Sequence, residues 1–438
     1  MRDSKRRTSL SVATWIPTLM LFTLASRAPA GWLGANVLVD QVYFASMIVA
    51  SLIILSSRPV KWRNLFTANA AIMLFYGYFA VSFLWSSTPV DSLIRILKDF
   101  GTTVVMILII FSEKNPLEAV RAVYVRCACV ALPLSMLVTR YYSIGRGYSQ
   151  KGFVMYNGIA GQKNSFGSML MVFILFLVWD HFESRPASAK WPWSRMRWDR
   201  LALLLMGAWL LDLSESKTSL VCLLIGLALI CTREWLASRM IGTMIFFVAL
   251  SLPFLLLLTQ ELGWITAPVL EAIGRDATFT GRASIWEHIT LATVNPLMGA
   301  GFWNFWGTIN GRAIALALGP DNSNPNVFVP SAHDGYVDVY LDGGFIGLAL
   351  LSLFLIVAAT RIIKVLPLNG FHRLRFTFLI LAIVANLTES FFARPGPMWF
   401  TTVLVLIDYP FRATDLRNRK VGWPGRGLLD VGSRDAAL

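Results

Sequence analysis

The chain has 438 residues, of which 56% are apolar and 15% charged, and its mean hydropathy is +0.60. So little polar surface excludes an ordinary soluble domain and points to a polytopic membrane protein. The net charge of +14 does not mark a nucleic-acid partner, because the basic residues fall in short loops between apolar runs, where they set membrane orientation.

The N-terminus carries Arg2, Lys5, Arg6 and Arg7, then an apolar run from Leu10 to Ala25, then Ala28-Pro29-Ala30. This superficially fits a cleavable signal peptide. A retained first span is preferred, since a membrane bundle needs no separate export signal. Windows long enough to cross about 30 Å at about 1.5 Å per residue number about twelve. They fall near 10–26, 33–55, 67–86, 90–112, 118–139, 164–181, 200–213, 216–232, 239–259, 335–360, 374–392 and 397–411. The expected fold is an all-α polytopic bundle of about twelve membrane helices with one large outer loop. Its divisions are spans one to nine in 1–259, the loop in 260–334, spans ten to twelve in 335–411 and a tail in 412–438.

Arg58, Lys61 and Arg63 share one loop, Arg185, Lys190, Arg195, Arg197 and Arg200 another, and Arg361, Lys364, Arg373 and Arg375 a third. Their alternation with the basic N-terminus puts both termini in the cytoplasm. On the opposite side, 140–163 stands out, because Arg140, Arg146, Lys151 and Lys163 run against the positive-inside bias. That loop is read either as a site for an anionic ligand or as charge without consequence. Cys127, Cys129, Cys222 and Cys231 lie in or at the edge of spans, which implies neither a disulfide framework nor a metal cage. Asn386-Leu387-Thr388 matches a glycosylation sequon but sits within a predicted span.

The long polar stretch from Gly281 to Gly347 is where the chain has room for chemistry. It contains Arg282, Trp286 and His288, then Asn295-Pro296-Leu297-Met298-Gly299-Ala300-Gly301-Phe302, then Ser331-Ala332-His333-Asp334-Gly335-Tyr336. The glycines do not make a dinucleotide fingerprint, because Asn304 stands where the third would be required. Trp303 and Trp306 read first as interface anchors and second as sugar-packing faces. Asp334, Asp338 and Asp342 at four-residue spacing repel one another unless neutralised. Salt bridges to Arg282, Lys217 or Arg312 are favoured over a metal, since no second histidine stands near His333. A lone histidine is usually structural, but an ordinary pKa of about 6.5 at a loop–membrane junction suits proton transfer.

Two cations lie inside the fourth window. Arg95 can pair with Asp99, which leaves Lys98 unexplained, and both lie level with a lipid phosphate if the helix begins on the outer side. In Ser214-Glu215-Ser216-Lys217-Thr218-Ser219, helix capping accounts for the hydroxyls. It does not account for Lys217, a cation in a first turn where the helix dipole favours an anion.

Taken together, Gly281-Arg282 with Trp286, the Asn295–Gly301 stretch, and His333 with Gly344 and Gly347 resemble the bacterial O-antigen ligase and polymerase superfamily. Ser214–Thr218 and Gly161-Gln162-Lys163-Asn164-Ser165-Phe166-Gly167 match two further parts of its pattern. The resemblance implies a GT-C-like integral-membrane glycosyltransferase of the bacterial inner membrane, inverting, without cofactor or metal. It implies a polyprenyl-diphosphate-linked oligosaccharide donor and a glycan or lipid A-core acceptor, joined on the periplasmic face among membrane lipids, with chain-length regulators and a flippase as partners. A flippase-type transporter is the rival class, disfavoured because no internal repeat is visible.

Carried over, Arg282 and Lys217 match the diphosphate-holding positions and His333 the general base. Asp334, in place of the usual amide or serine, is a second candidate. Lys163, Arg95 and Lys98 join the expected diphosphate set, and Trp303, Trp306 and Tyr336 the sugar contacts. Ser-Lys-Thr at the hinge is more like the exopolysaccharide polymerases of the succinoglycan type, so polymerisation is preferred over ligation.

Overall fold

The computed structural model describes residues 10–148, 152–183, 198–236, 238–261, 282–290, 292–317, 331–368 and 370–408. Gly281, the Pro320–Pro325 turn, Lys151, Arg185, Lys190, Arg195, Arg197 and the basic tail after 408 lie outside these residues.

Helices occupy every predicted window. They begin with α1 (Trp15–Ala25), the short α2 (Pro29–Leu33) and α3 (Val37–Ser56), continue with α4 (Trp62–Ala68), α5 (Ala70–Val81), α6 (Pro89–Phe100) and α7 (Met106–Phe111), and reach α8 (Pro116–Tyr141). Then come α9 (Lys163–Glu183), α10 (Trp198–Ser214), α11 (Lys217–Cys231), the short α12 (Arg233–Leu236) and α13 (Arg239–Glu261). Across the polar stretch run α14 (Arg282–Thr290) and α15 (Ile309–Ala317), followed by α16 (Gly335–Val365), α17 (Gly370–Ala385) and α18 (Pro397–Leu406). Among the described residues four helices are long and apolar enough to cross a membrane, or five if α4 and α5 form one span bent by 88°. The chain is therefore a mostly helical, multi-pass membrane protein.

One departure from an all-α fold is a small antiparallel hairpin, β1 (Arg146–Tyr148) with β2 (Val154–Tyr156), registered Arg146 to Tyr156 and Tyr148 to Val154. It explains one cation of the misplaced basic loop. Arg146 Nε donates to the Thr139 carbonyl at 2.9 Å and Nη2 to that of Arg140 at 2.5 Å, so it caps the C-terminus of α8.

α9 is the central helix, with 78% of its apolar window buried, whereas α3 runs along the periphery at 11%. Tyr124 of α8 stacks on Phe176 of α9 at 4.1 Å and shares a 2.8 Å hydrogen bond with Thr401 of α18. In a lipid surrounding, such packing and cross-helix hydrogen bonds replace the hydrophobic effect as the cohesive force. The bend at Asn69 has a polar cause: its amide donates to Leu65 O at 2.9 Å and Asp408 O at 2.7 Å and accepts the Asp408 N–H at 2.7 Å. After α6, Gly101–Val105 forms a π-helical turn before α7. The four cysteines are free.

Several basic residues read as orientation signals are also structural ligands. Arg58 donates to Glu113, Ser112 and the Ile109 carbonyl, and Arg361 reaches the Ala68 carbonyl. Arg375, only 4% exposed, belongs to α17 rather than to a loop, and donates to Val405 O at 2.6 Å and Ile407 O at 3.2 Å, the carbonyls left open where α18 ends.

Candidate active site

The polar stretch is fastened to the bundle by a break in α16. Gly344 has φ 61° and ψ −162°, a backbone conformation that is essentially glycine's alone. The break frees two carbonyls and two N–H groups, and the Asn295–Phe302 loop takes all four. Ala300 N donates to Leu341 O at 2.9 Å and Gly301 N to Asp342 O at 2.8 Å, while Phe345 N donates to Pro296 O at 2.8 Å and Ile346 N to Leu297 O at 3.2 Å. Asn295 pre-bends the loop by accepting the Leu297 and Met298 N–H groups at 3.0 and 3.1 Å. Gly299 and Gly301 have φ 68° and 97°; a Cβ on Gly299 would fall 2.4 Å from the Asp342 carbonyl carbon. Their purpose is close backbone approach.

The same loop is held by the carboxylates of α16. Asp342 Oδ1 accepts from the Asn304 and Phe305 N–H groups at 3.2 Å each, and Asp338 Oδ1 from Trp306 Nε1 at 2.9 Å and Ala332 N at 3.1 Å. Their neutralising cation differs from the expected Arg282, Lys217 or Arg312. It is Arg394, whose Nη2 lies 3.2 Å from Asp342 Oδ2 and 3.7 Å from Asp338 Oδ1. Buried carboxylates one helical turn apart require such a partner. Asp334 does not join them: its Oδ1 accepts from Tyr336 N at 2.9 Å and Val337 N at 3.0 Å, capping the N-terminus of α16.

Arg95 does not pair with Asp99 either. Its Nη1 donates to the Trp303 carbonyl at 2.5 Å, while Asp99 Oδ2 accepts from Tyr76 Oη at 2.8 Å and Trp399 Nε1 at 3.3 Å. The bulky aromatic hydroxyl and indole take up the carboxylate within the bundle, so the helical spacing to Arg95 goes unused. Lys98 turns toward α3, its Nζ 3.8 Å from the Phe44 ring centroid. Trp303 carries Arg394 over its ring at 4.6 Å and donates from Nε1 to Ala393 O at 2.7 Å. Tyr336 donates to Ile383 O at 3.2 Å and meets Phe392 edge-on. The three aromatic candidates, Trp303, Trp306 and Tyr336, thus have their polar atoms committed to the framework.

His333 comes from the turn before α16, with φ 52° and its side chain 34% exposed. Its Nδ1 lies 3.6 Å from Glu389 Oε2, a carboxylate only 7% exposed. Glu389 follows Asn386-Leu387-Thr388, which is not inside a helix as the sequence suggests. α17 ends at Ala385 because Asn386 Oδ1 accepts the Phe391 and Phe392 N–H groups at 2.8 and 2.9 Å and turns the chain back. Thr388 Oγ1 in turn shares a 2.8 Å hydrogen bond with Thr218, the residue after Lys217.

Lys217 is exposed at the first position of α11, beside Glu215 at φ 50°. Ser216 does not cap this helix with its side chain; its hydroxyl lies 2.9 Å from that of Ser219. Lys163 opens α9, and Gly167, one turn on, abuts Ser216 so closely that a Cβ would fall 2.5 Å from the serine Cβ. The two lysines therefore start adjoining helices. Arg282 starts α14 one turn before Trp286, whose Nε1 donates to Ala332 O at 2.9 Å, immediately before His333. The side chain of Arg282 lies outside the described residues. Among the described residues, the non-glycine residues with positive φ, namely Glu215, Trp303, His333 and Ala393, all lie in these segments, and backbone strain of this kind clusters at functional sites.

Residues 201–354 match the family model described as O-Antigen ligase. They include Lys217, Arg282, the Asn295–Phe302 loop and His333. Over 91 residues, a fifth of this chain, the sequence is 32% identical to the exopolysaccharide production protein ExoQ of Rhizobium meliloti (strain 1021). The matched segment spans 20% of that relative's length. Both findings support the resemblance read from the sequence and a role in polysaccharide or O-antigen assembly.

Proposed function

We propose that this protein is an inverting, metal-independent glycosyltransferase of the inner membrane. In this reading it transfers oligosaccharide units from a polyprenyl-diphosphate carrier to an acceptor hydroxyl on the periplasmic face and so polymerises exopolysaccharide or O-antigen repeats. The observation that carries it is the Thr218–Thr388 hydrogen bond next to Glu389 and His333. Through it the helix start that bears Lys217 and the candidate base share one short segment. Anionic leaving group and proton acceptor then sit side by side.

Lys217, Arg282 and Lys163 hold the diphosphate in this reading, the two lysines reinforced by helix N-termini. Arg95 and Lys98 are the other diphosphate candidates; because Arg95 donates to the Trp303 carbonyl and Lys98 faces the Phe44 ring of α3, this reading gives them supporting roles. As the acceptor oxygen bonds to the anomeric carbon, the anomeric C–O bond to the diphosphate breaks. The acceptor proton passes to His333. Charge growing on the departing diphosphate meets cations already in position, and stabilisation of that developing charge lowers the barrier. Asp334 is assigned to capping rather than to proton transfer. The aromatic faces of Trp303, Trp306 and Tyr336, not their polar atoms, are left for sugars.

The likeness to an exopolysaccharide production protein favours an exopolysaccharide product, and the family's name keeps ligation to lipid A-core as the second reading. Purified protein incubated with defined lipid-linked repeat units alone, and then with a core-lipid acceptor, separates them. Polymer formed from the donor alone supports the proposal. Product only with core lipid supports ligation, and no transfer under either condition contradicts both.

A further inference from the structure

His333 and Glu389 are brought together by backbone rather than by the reach of two free side chains. Gly335, two residues after His333, donates its N–H to Asn386 O at 2.8 Å, and a Cβ there would fall 2.0 Å from Asn386 Oδ1. Glu389 N donates to Ala385 O at 3.0 Å, which fixes the turn that carries the carboxylate. The start of α16 and the end of α17 are thus clamped one against the other, with the imidazole and the carboxylate facing across the clamp.

The two ring nitrogens are not equivalent. Nδ1 is buried beside Glu389 and has no hydrogen-bond partner among the described residues at its present distance of 3.6 Å, while the side chain as a whole is a third exposed. Catalytic hydrogen bonds are commonly long before substrate binds and shorten in the reactive complex. We propose that Glu389 is the positioning residue for His333: it accepts the Nδ1–H, fixes the ring plane and leaves the Nε2 lone pair to take the acceptor's proton. When that proton has moved to Nε2, the carboxylate stabilises the imidazolium that results. This inference rests on His333 being the base.

The charged and titratable groups described on the elements next to the pair come from α16 and α11. α16 supplies Asp334, whose Oδ1 is engaged as the helix cap. α11 supplies Lys217 at its start and Cys222, which feels the charge of Glu389. Among the described groups, Glu389 is the one within ion-pair range of the imidazole.

The test compares the intact membrane protein with its Glu389→Gln, Glu389→Asp and His333→Ala variants on lipid-linked repeat units. Glu389→Gln is expected to lower kcat by about 10–10³-fold with KM for the donor within about twofold, and to move the rising limb of the kcat–pH profile to lower pH. Glu389→Asp recovers part of the loss. A carboxylate that only supported the fold would move neither the limb nor the kcat-to-KM split. A second measurement does not need activity. Nitrogen-15 NMR of histidine-labelled wild type, with the His333 signal assigned by its loss in His333→Ala, should place the neutral ring's proton on Nδ1. A proton on Nε2, or an unchanged kcat in Glu389→Gln where His333→Ala is inactive, overturns the pairing alone. An active His333→Ala enzyme overturns the base itself, and the pairing with it.

Discussion

Gly344 of α16 packs so closely on Leu297 that a Cβ at Gly344 would fall 2.2 Å from the Leu297 carbonyl carbon. Substitution here meets both a forbidden backbone conformation and an overlap with backbone that cannot swing aside. Gly344→Ala is expected to destabilise by more than the roughly 1–3 kcal/mol of the backbone strain alone and to release the loop that carries the site. Gly77→Ala is the control, because nothing lies within 4 Å of a Cβ there and alanine favours a helix interior. Thermal unfolding in detergent should separate the two clearly. Equal melting temperatures would remove the interlock from the account.

Arg394 between Asp338 and Asp342 gives the second prediction. Arg394→Met leaves two buried carboxylates without their cation, a loss of about 3–5 kcal/mol in comparable buried pairs. Removing Asp342 as well, as Asn, takes away part of the charge that Arg394 neutralised. The double variant is therefore expected to be less damaged than the sum of the single ones, with a coupling of about 0.5–3 kcal/mol in a double-mutant cycle on unfolding. Strict additivity would show that the ion pair has no energetic role.

How much of this was legible beforehand divides along physical lines. Helices in the apolar windows follow from a local signal, the length of hydrocarbon-compatible sequence, and so do the polar stretch and its histidine. The interlock at Gly344 is a long-range exchange of backbone hydrogen bonds, and nothing local to Gly343-Gly344 names Pro296 or Leu297 as partners. Glu389 and Arg394 carried a usable signal that the sequence reading passed over. An ionisable residue inside a predicted span is by default a functional candidate, and Glu389 lay inside the window at 374–392. Arg394 precedes Pro395-Gly396-Pro397 in a connection otherwise poor in charge. Asp334 reads as a candidate base in one dimension, where a helix cap and a base look alike, and in the structure its Oδ1 caps α16.

Away from the site, Glu113 makes a pH-dependent contribution. Burial alone would raise its pKa, but hydrogen bonds from the Ser11 hydroxyl and N–H and from Arg58, together with the charge of Arg58, outweigh that and hold it below the ordinary carboxylate value. A carboxyl with a depressed folded-state pKa adds stability that is fully present above its unfolded pKa of about 4.3 and is lost as pH falls through the folded value. The difference in melting temperature between wild type and Glu113→Gln should be constant near neutrality and shrink below about pH 4. A difference that persists unchanged into acid would assign the effect to packing.

The central claim is that His333 accepts the acceptor's proton while cations at the helix starts hold the leaving diphosphate. Single-turnover transfer from a defined lipid-linked repeat unit, measured with wild type, His333→Ala and Asp334→Asn, tests it most directly. The account predicts that His333→Ala slows the transfer step by about 10²–10⁴-fold with donor affinity little changed, and that Asp334→Asn, in which the amide still caps α16, transfers at close to the wild-type rate. Wild-type transfer rates in His333→Ala, or a loss in Asp334→Asn as deep as that expected for the histidine, would contradict it.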